Sequence, residues 1–165
     1  MRTHSLKNVQ KIPISLEKAW DFFSYADNLE IITPTDIDFK ILTELKRVRV
    51  FEGQVIEYKI KLFPGLSFLW RTEITQVEEQ KCFTDIQLKG PYKMWRHEHY
   101  FKSIDGGMEM TDMIHYKNPL GILGYLANWL FVKRKLKKIF EFRFKKVEEL
   151  FGKWPSGQEY FGVIN

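Results

Sequence analysis

The sequence predicts an α+β fold in which a curved antiparallel sheet of seven strands packs against one long C-terminal helix. Between about residues 36 and 117, apolar and polar side chains alternate with period two, as in strands with one wet face. From 121 to 151 the apolar spacing becomes that of a helix, with a lysine-rich opposite side. A chain of 165 residues is long enough to form one domain with a sizeable core.

The composition is that of a globular protein with many rings in its interior. Apolar residues make up 44% and aromatic residues 16% of the chain, which excludes a disordered protein. Cys82 is the only cysteine, so no intrachain disulfide framework is available and a reducing compartment is expected. The first residues lack the apolar segment of a secretory signal. We therefore expect a cytoplasmic protein.

The first elements are a strand and two short helices. The strand is predicted from 5 to about 13, and Ser15 then provides the N-cap of a short helix. A second helical turn is predicted over 27–32, before Thr33-Pro34 ends it.

The remaining six strands and the long helix complete one predicted domain over residues 1–152. Residues 153–165 are predicted to be a C-terminal tail, to which the pattern assigns no structure. The strands are predicted near 36–45, 49–62, 67–78, 82–89, 94–104 and 107–117.

Residues 90–101 carry the strongest functional signal. Strict alternation places Trp95, His97, His99 and Phe101 on one side of a strand. A sheet face that mixes large aromatic rings with polar groups indicates the lining of a cavity. The predicted ligand-binding residues are Tyr58, Trp70, Thr72, Phe83, Asp85, Trp95, His97, His99, Met110, Asp112, Ile114, Tyr116, Leu126 and Trp129.

The two histidines allow three interpretations. They form a buried polar network with nearby acids such as Asp85 or Asp112, they recognise a ligand, or they act with one of those acids as metal ligands. Two histidines alone do not make a metal site, so neither a metal nor another cofactor is predicted. If the protein is an enzyme, His99 and Asp112 are the predicted acid–base pair, because imidazole exchanges protons near neutral pH.

The predicted C-terminal helix is strongly basic. Residues 132–146 contain eight basic side chains and one acid, Glu141. This is interpreted first as a solvated helix face, with peripheral contact to an anionic membrane as the alternative. Leu120, Ile122 and Leu123 precede this basic stretch in the sequence and would contact that membrane or an incoming lipid. Nucleic acid is not an expected partner, since no nucleic-acid-binding motif accompanies the charge.

A set of motifs runs through residues 3–151 and gives the chain a family resemblance. It resembles the START and birch-pollen-allergen superfamily, also called SRPBCC, and within it the bacterial polyketide cyclase/dehydrase and lipid-transport-like proteins. The motifs are Ala19-Trp20-Asp21-Phe22-Phe23, Asn28-Leu29, Thr33-Pro34, Trp70-Arg71-Thr72-Glu73-Ile74, Phe83-Thr84-Asp85, Gly90-Pro91-Tyr92, Trp95, His97, His99, Phe101, Asp112, Tyr116, Pro119-Leu120-Gly121, Ile139-Phe140 and Arg143.

The resemblance implies a helix-grip fold with a hydrophobic cavity between the sheet and the C-terminal helix. It implies no single activity, because that superfamily places carriers, receptors and cyclases on one scaffold. The predicted function is therefore a binding or carrier protein for a small hydrophobic ligand such as a lipid, an isoprenoid or a polyketide-like molecule. The alternatives are a cyclase or dehydratase acting on a polyketide-like substrate, and an interaction module with a filled core. The oligomeric state stays open.

Overall fold

The computed structural model describes residues 3–63, 65–119, 131–160 and 162–164. Within these residues, eight strands form one antiparallel sheet in the order β2-β3-β4-β5-β6-β7-β1-β8. The strands are β1 (His4–Ile12), β2 (Lys40–Ile41), β3 (Val55–Phe63), β4 (Leu66–Glu78), β5 (Cys82–Lys89), β6 (Met94–Ile104), β7 (Gly107–Lys117) and β8 (Gly162–Ile164).

Two α-helices and two 3₁₀ helices accompany the sheet. Helix α1 spans Leu16–Phe23 and α2 spans Lys133–Phe151, while the 3₁₀ helices span Ala26–Glu30 and Thr35–Ile37. The predicted α+β helix-grip architecture is therefore confirmed. The long helix predicted from 121 is present from Lys133 onward, and residues 120–130 lie outside the described residues.

All seven predicted strands are present, and the tail contributes an eighth. Strand β8 pairs antiparallel with β1, placing Lys7 opposite Val163. The side chain of Gln158 anchors the segment before it, because it accepts the Lys11 N–H at 2.9 Å and donates to the Lys11 carbonyl at 2.6 Å. Part of the region predicted to be an unassigned tail thus belongs to the sheet.

Two strands are shorter than their sequence pattern predicts. The strand expected over 36–45 is reduced to β2, because Asp38 has a left-handed backbone (φ 44°) and interrupts the extended chain. The strand expected from 49 begins at Val55, since Gly53 (φ 84°) forms a turn just before it.

Helix α1 begins at the predicted cap. The Ser15 hydroxyl accepts the Lys18 N–H at 3.2 Å, which satisfies one of the free amides of the first turn. The helix buries Trp20 and Phe23 against the sheet. The indole ring of Trp20 meets the ring of Phe101 edge-on, with centroids 5.2 Å apart. This packing closes one end of the domain.

Helix α2 crosses the inner face of the sheet and is tied to β1. The Gln10 side-chain amide donates to the Phe144 carbonyl at 2.9 Å, which connects the two elements by a buried hydrogen bond. Toward its C-terminus Val147 packs in the apolar cluster around Trp20, and toward its N-terminus Leu136 packs in a second cluster around Trp95. Its buried residues are Leu136, Phe140, Arg143, Phe144 and Val147.

In the described part of the chain, no helix combines the length and the apolar composition that a membrane crossing requires.

Candidate ligand cavity

A cavity lies between the inner face of the sheet and helix α2. Its volume is about 160 Å³, counted as the space that the centres of water molecules can occupy. Aromatic and aliphatic side chains form most of its wall, and the polar groups are concentrated on β5 and β6. The predicted site residues that line it are Tyr58, Trp70, Thr72, Phe83, Asp85, Trp95, His97, His99, Met110 and Ile114.

Two of the other predicted site residues do not line the cavity, and two cannot be placed relative to it. Asp112 is 1% exposed and contacts the two histidines. Tyr116 is fully buried in the apolar cluster around Trp95. Leu126 and Trp129 lie outside the described residues.

Sequence reasoning missed several described wall residues that come from outside the strands. The two 3₁₀ helices contribute Leu29 and Ile37, and helix α2 contributes Ile139, Phe140 and Arg143. The helical spacing of the α2 residues was a usable signal, because an inward stripe opposite a curved sheet faces any space left between them. The 3₁₀ segments are too short to have a periodicity, so their contribution had no signal in the sequence.

The cross-strand register brings the polar side chains together. Strand β6 lies between β5 and β7, so that His97 is opposite Asp85 and His99 is opposite both Phe83 and Asp112. Because successive inward residues of β6 are two positions apart, both imidazoles project to the same side. Their ring centroids are 3.8 Å apart, and the ring of His99 also stacks on that of Phe83 at 4.2 Å.

Asp112 lies against one side of the histidine pair. His97 Nε2 is 2.9 Å from Asp112 Oδ1 and forms a hydrogen bond with it. His99 Nδ1 is 3.0 Å from the same oxygen, but this contact is too bent for a hydrogen bond, so it is a charge contact only. The predicted His99–Asp112 pair is therefore in contact, while the hydrogen bond to Asp112 is made by His97.

Asp85 lies on the opposite side of the two rings. Its Oδ2 is 3.4 Å from His99 Nε2 and 3.8 Å from His97 Nδ1. Each imidazole therefore has one nitrogen toward Asp112 and its other nitrogen toward Asp85. Both carboxylates are buried or nearly so, with side chains 15% and 2% exposed for Asp85 and Asp112.

Arg143 places a positive charge beside the cluster. Its Nη1 is 3.6 Å from Asp112 Oδ1, and its guanidinium carbon lies 4.9 Å from the centre of the Phe140 ring. Asp112 is therefore the acidic partner of Arg143. Asp21, on helix α1, pairs instead with Arg49 at 2.6 Å on the surface.

The two imidazoles differ in proton affinity. Burial and the neighbouring His99 ring lower the pKa of His97, and the hydrogen bond to Asp112 offsets this only in part. Burial also acts to lower the pKa of His99, but contacts with Asp112 and Asp85 outweigh it and raise that pKa. Burial opposes the charge of Asp112, yet the two histidines and Arg143 hold its pKa well below the usual range. Of the two rings, His99 therefore holds a proton more strongly than His97.

The Tyr58 hydroxyl in the cavity remains neutral at physiological pH. Burial raises the pKa of Tyr58, and its hydroxyl lies 3.5 Å from the Thr72 hydroxyl. Together with the histidine cluster, these two hydroxyls are polar groups on the sheet side of a largely apolar space.

The fold is shared with several solved structures. A START superfamily protein from Mycobacterium smegmatis has a TM-score of 0.64 at 12% identity, over 89% of this chain and 99% of that one. A major latex-like protein from Panax ginseng has a TM-score of 0.54 at 17% identity, over 81% of this chain and 95% of that one. A nucleoside-diphosphate sugar epimerase from Corynebacterium glutamicum has a TM-score of 0.60 at 24% identity, and the match covers 87% of this chain but 28% of the epimerase.

These similarities confirm, at the level of the fold, the resemblance to the START and birch-pollen-allergen superfamily. No family model matches the sequence, and no curated protein matches it significantly.

Proposed function

We propose that the protein binds a small, mostly apolar ligand in the cavity between the sheet and α2, with the polar end of the ligand at the histidine cluster. The observation that supports this proposal is the division of the cavity wall. Rings and aliphatic chains surround most of the space, while Asp85, His97, His99 and Arg143 meet at one place. Such a wall takes up an apolar body through burial and orients it through a few polar contacts.

The cavity volume limits the size of the ligand. One water molecule needs roughly 10–15 Å³ on this measure, so a cavity of about 160 Å³ has room for on the order of ten non-hydrogen atoms. A short isoprenoid or a one- or two-ring aromatic compound is of this size.

The charges in the cluster favour a neutral polar end. Asp85 and Asp112 already supply two negative charges beside Arg143 and the two imidazoles. A ligand carboxylate would add a third negative charge to a buried site and is disfavoured. A hydroxyl, phenol or carbonyl group adds no net charge and is therefore the expected polar end.

The direct test is to identify what the purified protein carries. Native mass spectrometry of the intact chain, followed by solvent extraction, should reveal a bound apolar molecule. Ile139→Trp should prevent its binding because the larger ring enters the cavity. Leu150→Trp is the matched control, since Leu150 lies on the same helix and is 42% exposed. A protein that carries nothing, and whose uptake of apolar probes is unaffected by Ile139→Trp, would indicate the filled-core interaction module instead.

A second candidate function is cyclisation or dehydration of the bound ligand. The observation that favours it is the buried imidazole of His99, which lines the cavity between two carboxylates and has a raised pKa. Such a group can move a proton to or from a ligand, and the Tyr58 hydroxyl can hold a developing oxygen charge. Enzymatic turnover predicts that His99→Ala abolishes conversion of the extracted ligand while its affinity stays within a few-fold. A carrier shows no conversion in either protein.

A further inference from the structure

Three electron-pair donor atoms converge on the cavity side of the histidine pair. They are His97 Nδ1, His99 Nε2 and Asp85 Oδ2, and the candidate ligand atoms of these residues all lie within 4.8 Å of one another. All three residues line the cavity. The cluster therefore combines two imidazoles and one carboxylate in the wall of the cavity.

The spacing suits a metal ion. Zinc takes nitrogen ligands at about 2.0–2.1 Å, and in a tetrahedral site two such atoms are about 3.4 Å apart. The oxygen Asp85 Oδ2 is 3.4 Å from His99 Nε2 and 3.8 Å from His97 Nδ1. Both oxygen–nitrogen distances thus lie within about 0.4 Å of the tetrahedral spacing.

The position of Asp112 suits metal binding by the two imidazole rings. Its Oδ1 lies 2.9 Å from His97 Nε2 and 3.0 Å from His99 Nδ1, which are the nitrogens on the far side of each ring. The hydrogen bond from His97 Nε2–H to Asp112 leaves the Nδ1 lone pair of a neutral His97 ring facing Asp85. A neutral His99 ring with its proton on Nδ1, beside the negative Asp112 oxygen, likewise turns its Nε2 lone pair toward Asp85. A carboxylate behind a ligating histidine is the usual outer partner in metal sites, because it fixes the tautomer and the ring orientation.

The net charge of the cluster also favours binding of a cation between these three side chains. With both imidazoles neutral, Asp85 and Asp112 carry two negative charges, and Arg143 compensates for one of them. A buried charge without compensation is costly, so the remaining negative charge must bind a proton or a metal ion. In the metal-free protein, His99 Nε2–H can donate to Asp85 at 3.4 Å, and a metal ion would replace that proton.

From this geometry we infer that Asp85, His97 and His99 form a binding site for a divalent transition-metal ion such as Zn²⁺, with Asp112 as the positioning residue behind the two rings. The open side of the ion faces the cavity, where a water molecule or an oxygen atom of a ligand would complete the coordination. The inference is independent of the identity of the apolar ligand.

The first experiment uses the wild-type protein alone. The chain contains four histidines, so isotope-labelled NMR of the imidazole nitrogens gives few signals. Adding Zn²⁺ to metal-free protein should perturb His97 through Nδ1 and His99 through Nε2, and equilibrium dialysis should show one ion per chain at micromolar concentrations. Absence of zinc binding, or binding through other nitrogens, would overturn the inference whether or not any variant folds.

Variants then assign the site. Asp85→Asn and His99→Gln each remove one ligand, and we expect zinc affinity to fall at least tenfold. His115→Gln is the matched control, because His115 lies on the outward side of β7 with a side chain 39% exposed, near Glu98 rather than the cluster. It should bind zinc like the wild type. If His115→Gln weakens binding as much as His99→Gln does, the ion is bound elsewhere and the inference fails.

Asp112→Asn distinguishes a positioning role from direct ligation. Loss of the outer carboxylate should weaken zinc binding by about 10- to 100-fold, while the same two ring nitrogens remain bound. A change in which nitrogen binds the ion would show that Asp112 does not set the tautomers as inferred. Zinc affinity equal to that of the wild type would show that Asp112 has no part in the site.

Discussion

His97 and Asp112 lie on neighbouring strands and are joined by a 2.9 Å hydrogen bond between Nε2 and Oδ1 in the protein interior. They are not direct cross-strand partners, since Asp112 is opposite His99 and the bond to His97 runs diagonally. The same carboxylate contacts Arg143 and is 3.5 Å from the Asn8 side-chain amide. Through these contacts the Asp112 carboxylate on β7 connects strands β6 and β1 and helix α2 in the protein interior.

We first predict that Asp112→Asn strongly destabilises the protein. The change removes the charge and leaves Arg143 buried without its counter-ion, which typically costs about 3–5 kcal/mol in the free energy of unfolding. Urea denaturation with a chelator present measures this cost in the metal-free protein. Asp21→Asn is the control, because the Asp21–Arg49 pair has side chains about half exposed and should contribute about 0–1 kcal/mol. Equal losses in the two variants would contradict the central role of Asp112.

The second prediction concerns the pH dependence of this stabilisation. The pKa of Asp112 is held well below its usual range in the folded protein, so its contribution is fully present above the unfolded value of about 3.9. It is lost only as the pH falls through the lower folded-state pKa. The difference in unfolding free energy between the wild type and Asp112→Asn should therefore not narrow between pH 7 and pH 5, and should narrow only in stronger acid. If the wild type and Asp112→Asn had equal free energies of unfolding at pH 5, the low pKa assigned to Asp112 would be wrong.

The inward face of β6 was predictable from the sequence because it depends on one strand alone. Alternation of period two places Trp95, His97, His99 and Phe101 on the same side, and all four are buried. The Ser15 cap was also predictable, because it depends on a contact between residues only three positions apart. Local rules therefore predicted which residues face inward.

Which inward residues meet each other was not predictable to the same degree. Contacts between His97 and Asp85, or His97 and Asp112, depend on the register of three strands. That register is set by packing and by turn geometry across the whole sheet, and a shift of one residue would reverse every face. For the same reason, the contact between Arg143 and Asp112 and the convergence of the three donor atoms became visible only in three dimensions.

The third prediction tests the two faces of β6 directly. Phe101→Ala should lower the free energy of unfolding by about 3–5 kcal/mol, because the ring is 6% exposed and packs against Trp20. The neighbouring Tyr100→Ala should cost far less, since Tyr100 is 44% exposed. Thermal or urea unfolding of both variants measures the contrast. Similar losses would mean that the strand does not present the faces described above.

The fourth prediction concerns the basic side of α2. Arg134, Lys138 and Lys145 are exposed and lie at helical spacing on one side, and Phe131 just before the helix is 57% exposed. A cationic stripe with an apolar residue at its end is suited to an anionic membrane surface. We expect the protein to sediment with vesicles that contain phosphatidylserine, less at high salt, and not with neutral vesicles.

Charge-reversal variants distinguish binding of the vesicle through helix α2 from attraction of the whole protein by its net charge. Each basic residue near an anionic surface contributes about 1 kcal/mol, so Arg134→Glu with Lys138→Glu should weaken vesicle binding at least tenfold. Lys7→Glu with Lys102→Glu changes the net charge equally but on exposed positions of β1 and β6. Because those strands present these lysines away from α2, the second pair should have little effect. Equal weakening by both pairs would mean that the net charge of +5, rather than the α2 stripe, attracts the protein to the surface.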